Sequence, residues 1–284
     1  MNTMFQLQRY ALQTLKAIYD ENEIRALCTL IFSRVFHYTN IQIHLEKHTI
    51  LEESLVNTFL RVLQRLQEGE PFQYILGETE FAGLVFHLNR DTLIPRPETE
   101  ELVMWIVEEG LPAGARFLDI GTGSGCIAVA VGAAVKDVQI LGVDVSPSAV
   151  EQAAENAQLN GVHADFEVRD ILHPEQWEWG TFDVIASNPP YVRESEKALM
   201  EDRVLKHEPA RALFVPDSDP LLFYREIARF GLSHLSPGGR LFFEINEALG
   251  IETVSLLEGM GYKDVKLQAD IFDKPRMVRG RLKS

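Results

Sequence analysis

Four short apolar runs, each closing on a polar or glycine-rich turn, occupy residues 115–191. The first, Ala115-Arg116-Phe117-Leu118, runs into Asp119-Ile120-Gly121-Thr122-Gly123-Ser124-Gly125-Cys126 and then a helix-like stretch from Ile127 to Val131. The second, residues 138–143, ends in Asp144, and Ser146-Pro147 supplies an N-cap and a first-turn proline for the helix after it. The third, residues 164–169, ends in Asp170-Ile171, and the fourth, residues 182–187, ends in Asn188-Pro189-Pro190-Tyr191. Strands alternating with helical stretches predict an α/β fold with a mostly parallel sheet covered on both faces. Open sheets of this kind bind ligands beyond the carboxyl ends of their strands.

Each turn has its own chemistry. Glycines at 121, 123 and 125 let a backbone approach a ligand closely and aim N–H groups at it. Cys126 stands where the dinucleotide pattern G-x-G-x-x-G needs its third glycine, so nicotinamide-type binding is disfavoured. An acid at Asp144 can accept both hydroxyls of a ribose. An acid followed by an apolar residue, Asp170-Ile171, suits an adenine, with its polar edge and apolar faces. At Asn188 one short arm carries an acceptor and a donor. Pro189 and Pro190 stiffen the turn and remove two donors, and Tyr191 offers a flat face for stacking. That combination suits holding a planar nitrogen. Any one of these acids alone is an ordinary loop residue; four such turns in succession are not.

The chain has 284 residues, enough for one large α/β domain and a smaller one. No apolar run is long enough to span a membrane, and the first residues lack the order of a signal peptide. Cys28 and Cys126 sit in apolar runs without metal-ligand spacing, which reads as buried, reduced thiols in a cytoplasmic protein. Net charge is −15. Residues 1–90 carry 8 basic and 10 acidic side chains, and the remainder 19 and 32. Neither part is a basic platform, so no stable nucleic-acid binding is expected.

Residues 1–70 read as a helical bundle. Asp20 caps a stripe of Ile24, Leu27, Cys28, Ile31, Val35 and Phe36, and Thr49–Glu52 has the capping-box spacing before Leu55, Val56, Phe59, Leu60, Leu63 and Leu66. Gly69-Glu70-Pro71-Phe72 is a turn. Residues 73–77 and 81–86 then look like the strands of a linking hairpin within 71–92. Pro97 suits the first turn of a helix through Leu102, Val103, Trp105 and Ile106. The domain at 93–284 continues with helices near 221–235 and 249–260 and strands near 240–245, 265–267 and 277–282.

Five stretches together resemble one family. They are Pro71-Phe72-Gln73-Tyr74-Ile75, Ile94-Pro95-Arg96-Pro97-Glu98-Thr99-Glu100, Asp119 to Gly125, Asn188-Pro189-Pro190-Tyr191 and Glu208-Pro209-Ala210-Arg211-Ala212-Leu213. The chain resembles class I S-adenosylmethionine-dependent methyltransferases and, within them, the bacterial release factor glutamine methyltransferases (the PrmC/HemK family). The resemblance implies a Rossmann-like, mostly parallel seven-stranded sheet with an N-terminal helical bundle and a linking hairpin. It implies methyl transfer from S-adenosylmethionine, leaving S-adenosylhomocysteine and needing no metal. The acceptor would be the side-chain nitrogen of the glutamine in the Gly-Gly-Gln loop of peptide chain release factors 1 and 2. Gly121, Thr122, Gly123, Ser124, Gly125, Asp144, Asp170, Ile171 and Asn188 would bind the cofactor. Asn188, Pro189, Pro190, Tyr191, Arg96 and Glu98 would meet the substrate, with Asn188, Pro189 and Tyr191 at the chemistry. Residues 1–70 would recognise the release factor.

An amide nitrogen is a poor nucleophile, and no general base stands among these residues. Catalysis is therefore expected to come from positioning, with Asn188 and the Pro189 carbonyl accepting the two amide hydrogens. The same turn serves an exocyclic base nitrogen of DNA or RNA, with Tyr191 stacking on a flipped base. The acidic chain, without a basic recognition segment, weighs against that alternative.

Overall fold

A computed structural model describes residues 1–284. Its contacts divide the chain into two compact units, residues 1–77 with 201–207, and residues 78–200 with 208–284. The sequence reading drew its boundary at 70 and set a linker apart at 71–92; the hairpin falls with the second unit.

The first unit is helical. Helices Met4–Leu15, Glu21–Leu30, Asn40–Leu45 and Glu53–Gln67 are joined by short turns, and the second runs on into a wider turn at Ile31–Val35. Asp20 caps its helix as its type predicts, accepting from the Glu23 N–H at 2.9 Å. Thr49 does not cap the helix at Glu53–Gln67; Glu52 occupies that position with no side-chain bond, and the Thr49 N–H turns back to the Glu46 carbonyl at 2.8 Å. A genuine capping box lies at Thr39 and Gln42 instead. Leu7, Phe59 and Leu66 are fully buried at the centre of this unit, and Phe32 stacks on Phe59 with ring centres 5.4 Å apart.

Residues 73–77 are not a strand. Phe72–Leu76 forms one helical turn, ended by Gly77 in the left-handed conformation. The hairpin follows as β1 (Glu78–Phe81) and β2 (Leu84–His87). The run 81–86, expected to be one strand, folds over at Ala82 and Gly83. Both have positive φ, 49° and 75°, the geometry of a tight mirror-image hairpin turn.

The main sheet holds β3 (Arg116–Ile120), β4 (Gln139–Asp144), β5 (Asp165–Val168) and β6 (Phe182–Ser187). A two-residue parallel pair, β7 (Val192–Arg193) with β8 (Phe214–Val215), lies outside it. The sheet is completed by β9 (Leu235–Glu244), β10 (Lys263–Ala269) and β11 (Pro275–Arg281). The strand order is β10-β11-β9-β6-β3-β4-β5. All neighbours run parallel except β11, which is antiparallel to both β9 and β10. This is the seven-stranded, mostly parallel sheet expected of the fold class.

Successive residues of each central strand face opposite sides of the sheet. Phe117, Val184 and Phe242 enter one apolar core; Leu118, Ile185 and Phe243 enter the other. From β3 the chain moves one way to β4 and β5, then returns to the other side of β3 as β6. That reversal opens a crevice beyond the carboxyl ends of β3 and β6, where sheets of this type take ligands.

The hairpin is attached to this unit by two asparagines of one helix end. Asn156 accepts from the His87 N–H at 2.7 Å and donates to the His87 carbonyl at 3.0 Å and to the Ser124 carbonyl at 2.9 Å. Asn160 donates to the Val85 carbonyl at 2.8 Å.

Candidate active site

A pocket fills the crevice, with about 1060 Å³ of empty space including its open mouth. Its walls mix a few polar side chains with apolar ones, as small-molecule sites do. Gly121, Thr122, Gly123, Ser124, Asp144, Asp170, Ile171, Asn188, Pro189, Pro190 and Arg96 all line it.

Three expected residues do not. Gly125 faces away. It begins the helix Cys126–Ala134 at φ +82°, and a Cβ there would meet the Ala153 Cβ at 3.0 Å. Its smallness serves helix packing. Glu98 is off the pocket wall, where its neighbour Thr99 stands instead. Tyr191 is also off the wall, its hydroxyl donating to Glu244 Oε1 at 3.0 Å.

Four N–H groups of the glycine turn are engaged within the protein. Those of Gly121 and Thr122 both donate to the Val143 carbonyl, at 2.8 and 2.9 Å, and that of Gly125 to the Thr122 carbonyl at 2.8 Å. The Gly123 N–H donates to Asp144 Oδ2 at 3.0 Å. A phosphate-binding turn keeps such donors free; this one has them engaged within the protein. What remains beneath it is acceptor-rich. Asp119 is fully buried, with Oδ2 taking the Thr122 hydroxyl at 2.7 Å and the Ala128 N–H at 3.3 Å. Burial pushes its carboxyl up to about 7. Asp119 Oδ1 and Ser124 Oγ are buried without a protein partner, and such atoms normally meet water or a ligand.

Asp144, at the end of β4, is fixed from behind by the Gly123 N–H and by the Ser146 N–H at 2.9 Å. Burial raises its pKa, and these backbone bonds act against the shift. Each carboxylate oxygen keeps a further acceptor site toward the pocket. At the end of β5, Asp170 Oδ1 takes the Leu172 N–H at 2.9 Å. Ile171, Phe223 and Ile227 supply apolar wall on that side. The segment Glu208–Leu213 braces two arginines. Arg96 pairs with the buried Glu208 at 2.5 Å, and Arg211 donates to Ser146 Oγ at 2.7 Å. Cys126, expected to be buried, is only partly so and borders the pocket; burial of its thiol pushes it up to about 12.

One functional group had no sequence signal. Glu244, the last residue of β9, is 1% exposed. Its Oε2 takes the Thr99 hydroxyl at 2.5 Å and its Oε1 the Tyr191 hydroxyl. Thr99 in turn accepts from Asn188 Nδ2 at 3.2 Å. Burial raises the Glu244 pKa, while the two hydroxyl bonds and Arg276 oppose the rise. The apolar run before it reads as an ordinary buried strand, and its partners are far away in sequence.

Residues 99–213 match the Methyltransferase small domain family and residues 6–77 the PrmC N-terminal domain family. The Flavobacterium psychrophilum protein named release factor glutamine methyltransferase is 44% identical over 94% of this chain and 95% of its own. The Bacteroides thetaiotaomicron protein of the same name is 42% identical over 97% and 99%. Among solved structures, a methyltransferase from Pyrococcus furiosus superposes with a TM-score of 0.53 at 19% identity, over 71% of this chain and 90% of that one. That likeness speaks for the fold. Identity above two-fifths across nearly the whole of two relatives speaks for kinship: this chain belongs to the release factor glutamine methyltransferase family.

Proposed function

We propose that this protein transfers a methyl group from S-adenosylmethionine to the side-chain amide nitrogen of the Gly-Gly-Gln glutamine in peptide chain release factors 1 and 2, in the cytoplasm. One observation carries the reading: in a member of this family, the Asn188-Pro189-Pro190 turn shares a pocket wall with Asp144 and the glycine turn. The residues fit the cofactor. Asp144 accepts the ribose hydroxyls, and Asp170 and Ile171 border the adenine. Asp119 Oδ1 and Ser124 Oγ, buried and unpartnered, suit a ligand that brings a cation and polar hydrogens rather than phosphates. When bound, S-adenosylmethionine supplies an electrophilic methyl group.

The protein's part is to orient the nucleophile. Asn188 Oδ1 and the Pro189 carbonyl accept the two hydrogens of the glutamine amide and hold its nitrogen face toward the methyl. Both acceptors favour the positive charge that develops on nitrogen. Tyr191, anchored on Glu244, holds the end of the turn, and Arg96, on the pocket wall, flanks the entering loop. The nitrogen, once methylated and cationic, gives its extra proton to water, so no buried base is needed. The helical residues 1–70 recognise the body of the release factor.

The test is incubation with labelled S-adenosylmethionine and each release factor, a Gly-Gly-Gln peptide, DNA and RNA, with mass spectrometry to locate the methyl. Label on the glutamine nitrogen is expected, and faster on whole release factor than on peptide. Label on a base nitrogen with none on release factor would overturn the reading in favour of a nucleic-acid amino-methyltransferase. Equal efficiency on peptide and whole protein would remove residues 1–70 from recognition.

A further inference from the structure

We infer that Glu244 and Thr99 are positioning residues: through a one-way chain of hydrogen bonds they fix which end of the Asn188 side-chain amide faces the substrate. This rests on the function proposed above, in which Asn188 Oδ1 accepts from the glutamine amide.

The argument is one of hydrogen-bond direction. An Asn side chain can turn by half a revolution and exchange its oxygen for its nitrogen at little steric cost. In this site the two arrangements are chemically opposite. Oxygen toward the pocket accepts a substrate N–H; NH2 toward the pocket confronts it with another donor. Something must choose.

Glu244 makes the choice two bonds away. The Thr99 and Tyr191 hydroxyls, at 2.5 and 3.0 Å, both donate to it, as they must to the carboxylate form, which only accepts. Thr99 has one hydroxyl hydrogen, and it is committed. Toward Asn188, 3.2 Å away, Thr99 can then only accept. It selects the NH2 of Asn188, and the amide oxygen is left facing the other way. Tyr191, three residues on, is tied to the same carboxylate, so one side chain holds both ends of the Asn-Pro-Pro-Tyr turn.

The burial of Glu244 adds weight. A carboxylate 1% exposed loses its hydration and must be repaid by its neighbours. An apolar residue at the end of β9 would pack there without that cost. Thr99 is likewise 2% exposed. It lies in the first turn of the helix Pro97–Glu108, where its hydroxyl is not needed as a cap.

A double-mutant cycle on the full chain tests this. Thr99→Val should lower single-turnover methylation of release factor roughly 10- to 100-fold, with cofactor affinity and thermal midpoint little changed. Thr99→Ser keeps the hydroxyl and should restore the rate to within about threefold of wild type. Glu244→Gln can donate as well as accept, which frees the Thr99 hydrogen. It should slow methylation in the same sense, and it carries the cycle if Thr99→Val does not fold. In an Asn188→Ala background, Thr99→Val should add less than about twofold, because the amide it orients is gone. A merely structural role predicts the same factor in both backgrounds, and that result overturns the inference. So does a Ser variant as slow as the Val variant, or a Thr99→Val enzyme at wild-type rate. In those cases an active wild type leaves the proposed function standing. A wild type that leaves release factor unmethylated overturns both.

Discussion

Between residues 1 and 77, Glu70 is the one buried polar or charged side chain, and Arg65 meets it at 2.6 Å. The sheet unit buries many more. Asp119, Thr122, Ser124, Ser187, Glu244 and Asn246 all lie at or just beyond the carboxyl ends of β3, β6 and β9, each under 8% exposed. Buried polarity costs free energy unless every group is matched. The core of the helical unit avoids it. The sheet unit accepts it and gathers much of it at these strand ends, where two of the atoms, Asp119 Oδ1 and Ser124 Oγ, remain unmatched by protein. The difference separates positions chosen for packing from positions chosen for geometry.

Three experiments test that contrast. The largest effect belongs to packing. Phe59→Ala, at a fully buried ring stacked on Phe32, should cost about 3–5 kcal/mol of stability in urea unfolding. Cofactor affinity below the unfolding range should stay as it was. A parallel loss of affinity would mean that the helical core also sets the geometry of the site.

Next comes Asp144. Its replacement by Ala removes a charged acceptor worth about 1.5–3 kcal/mol. Calorimetry should find S-adenosylmethionine binding roughly tenfold to a hundredfold weaker, with methylation at saturating cofactor less affected. An unchanged dissociation constant would strike Asp144 from the ribose site.

The smallest effect is a pH dependence. Asp119 in the folded protein takes up a proton more readily than in the unfolded chain, its carboxyl being pushed from 3.8 to about 7. The folded state therefore holds the extra proton between those values, and stability falls as pH rises through that window. Without cofactor, the protein should lose about 2 kcal/mol between pH 5 and pH 7 from this group. Asp119→Asn should flatten the slope. The raised carboxyls of Asp144 and Glu244 act in the same direction, so a residual slope is expected. A slope unchanged in Asp119→Asn would show that the cost of this buried carboxyl is met by water.

Much of the sheet unit was legible because its local signals agree with its tertiary role. Apolar runs, glycine turns and strand-end acids all pointed to one crevice, and Gly121, Asp144, Asp170 and Asn188 line it. The errors came where two signals shared the same residues. Residues 73–77 have strand-like composition, yet Pro71 before them and Gly77 at their end bracket one helical turn. Thr49 has capping-box spacing, but the turn at 46–49 uses its N–H otherwise. The glycine turn is the turn its residues predict, but Val143 on the next strand takes two of the N–H groups expected to face a ligand. Glu244 was out of reach altogether. Its partners Thr99 and Tyr191 stand 145 and 53 positions away, and no periodicity links them.

The two asparagines that attach the hairpin have a consequence for how the protein behaves in a crowd. A strand with no neighbour presents a row of free N–H and C=O groups that can recruit another chain. On β2 the outward-facing groups at Val85 and His87 are already met, by Asn160 and Asn156. The Asn156 amide pairs with His87 through one donor and one acceptor, as a peptide group of a neighbouring strand would. A helix thus supplies the missing strand with side chains. A hairpin of four-residue strands, marginal by itself, thus has these groups of its β2 edge closed to a further strand, and that guard is lost if Asn156 deamidates, since a carboxylate would then face two carbonyls.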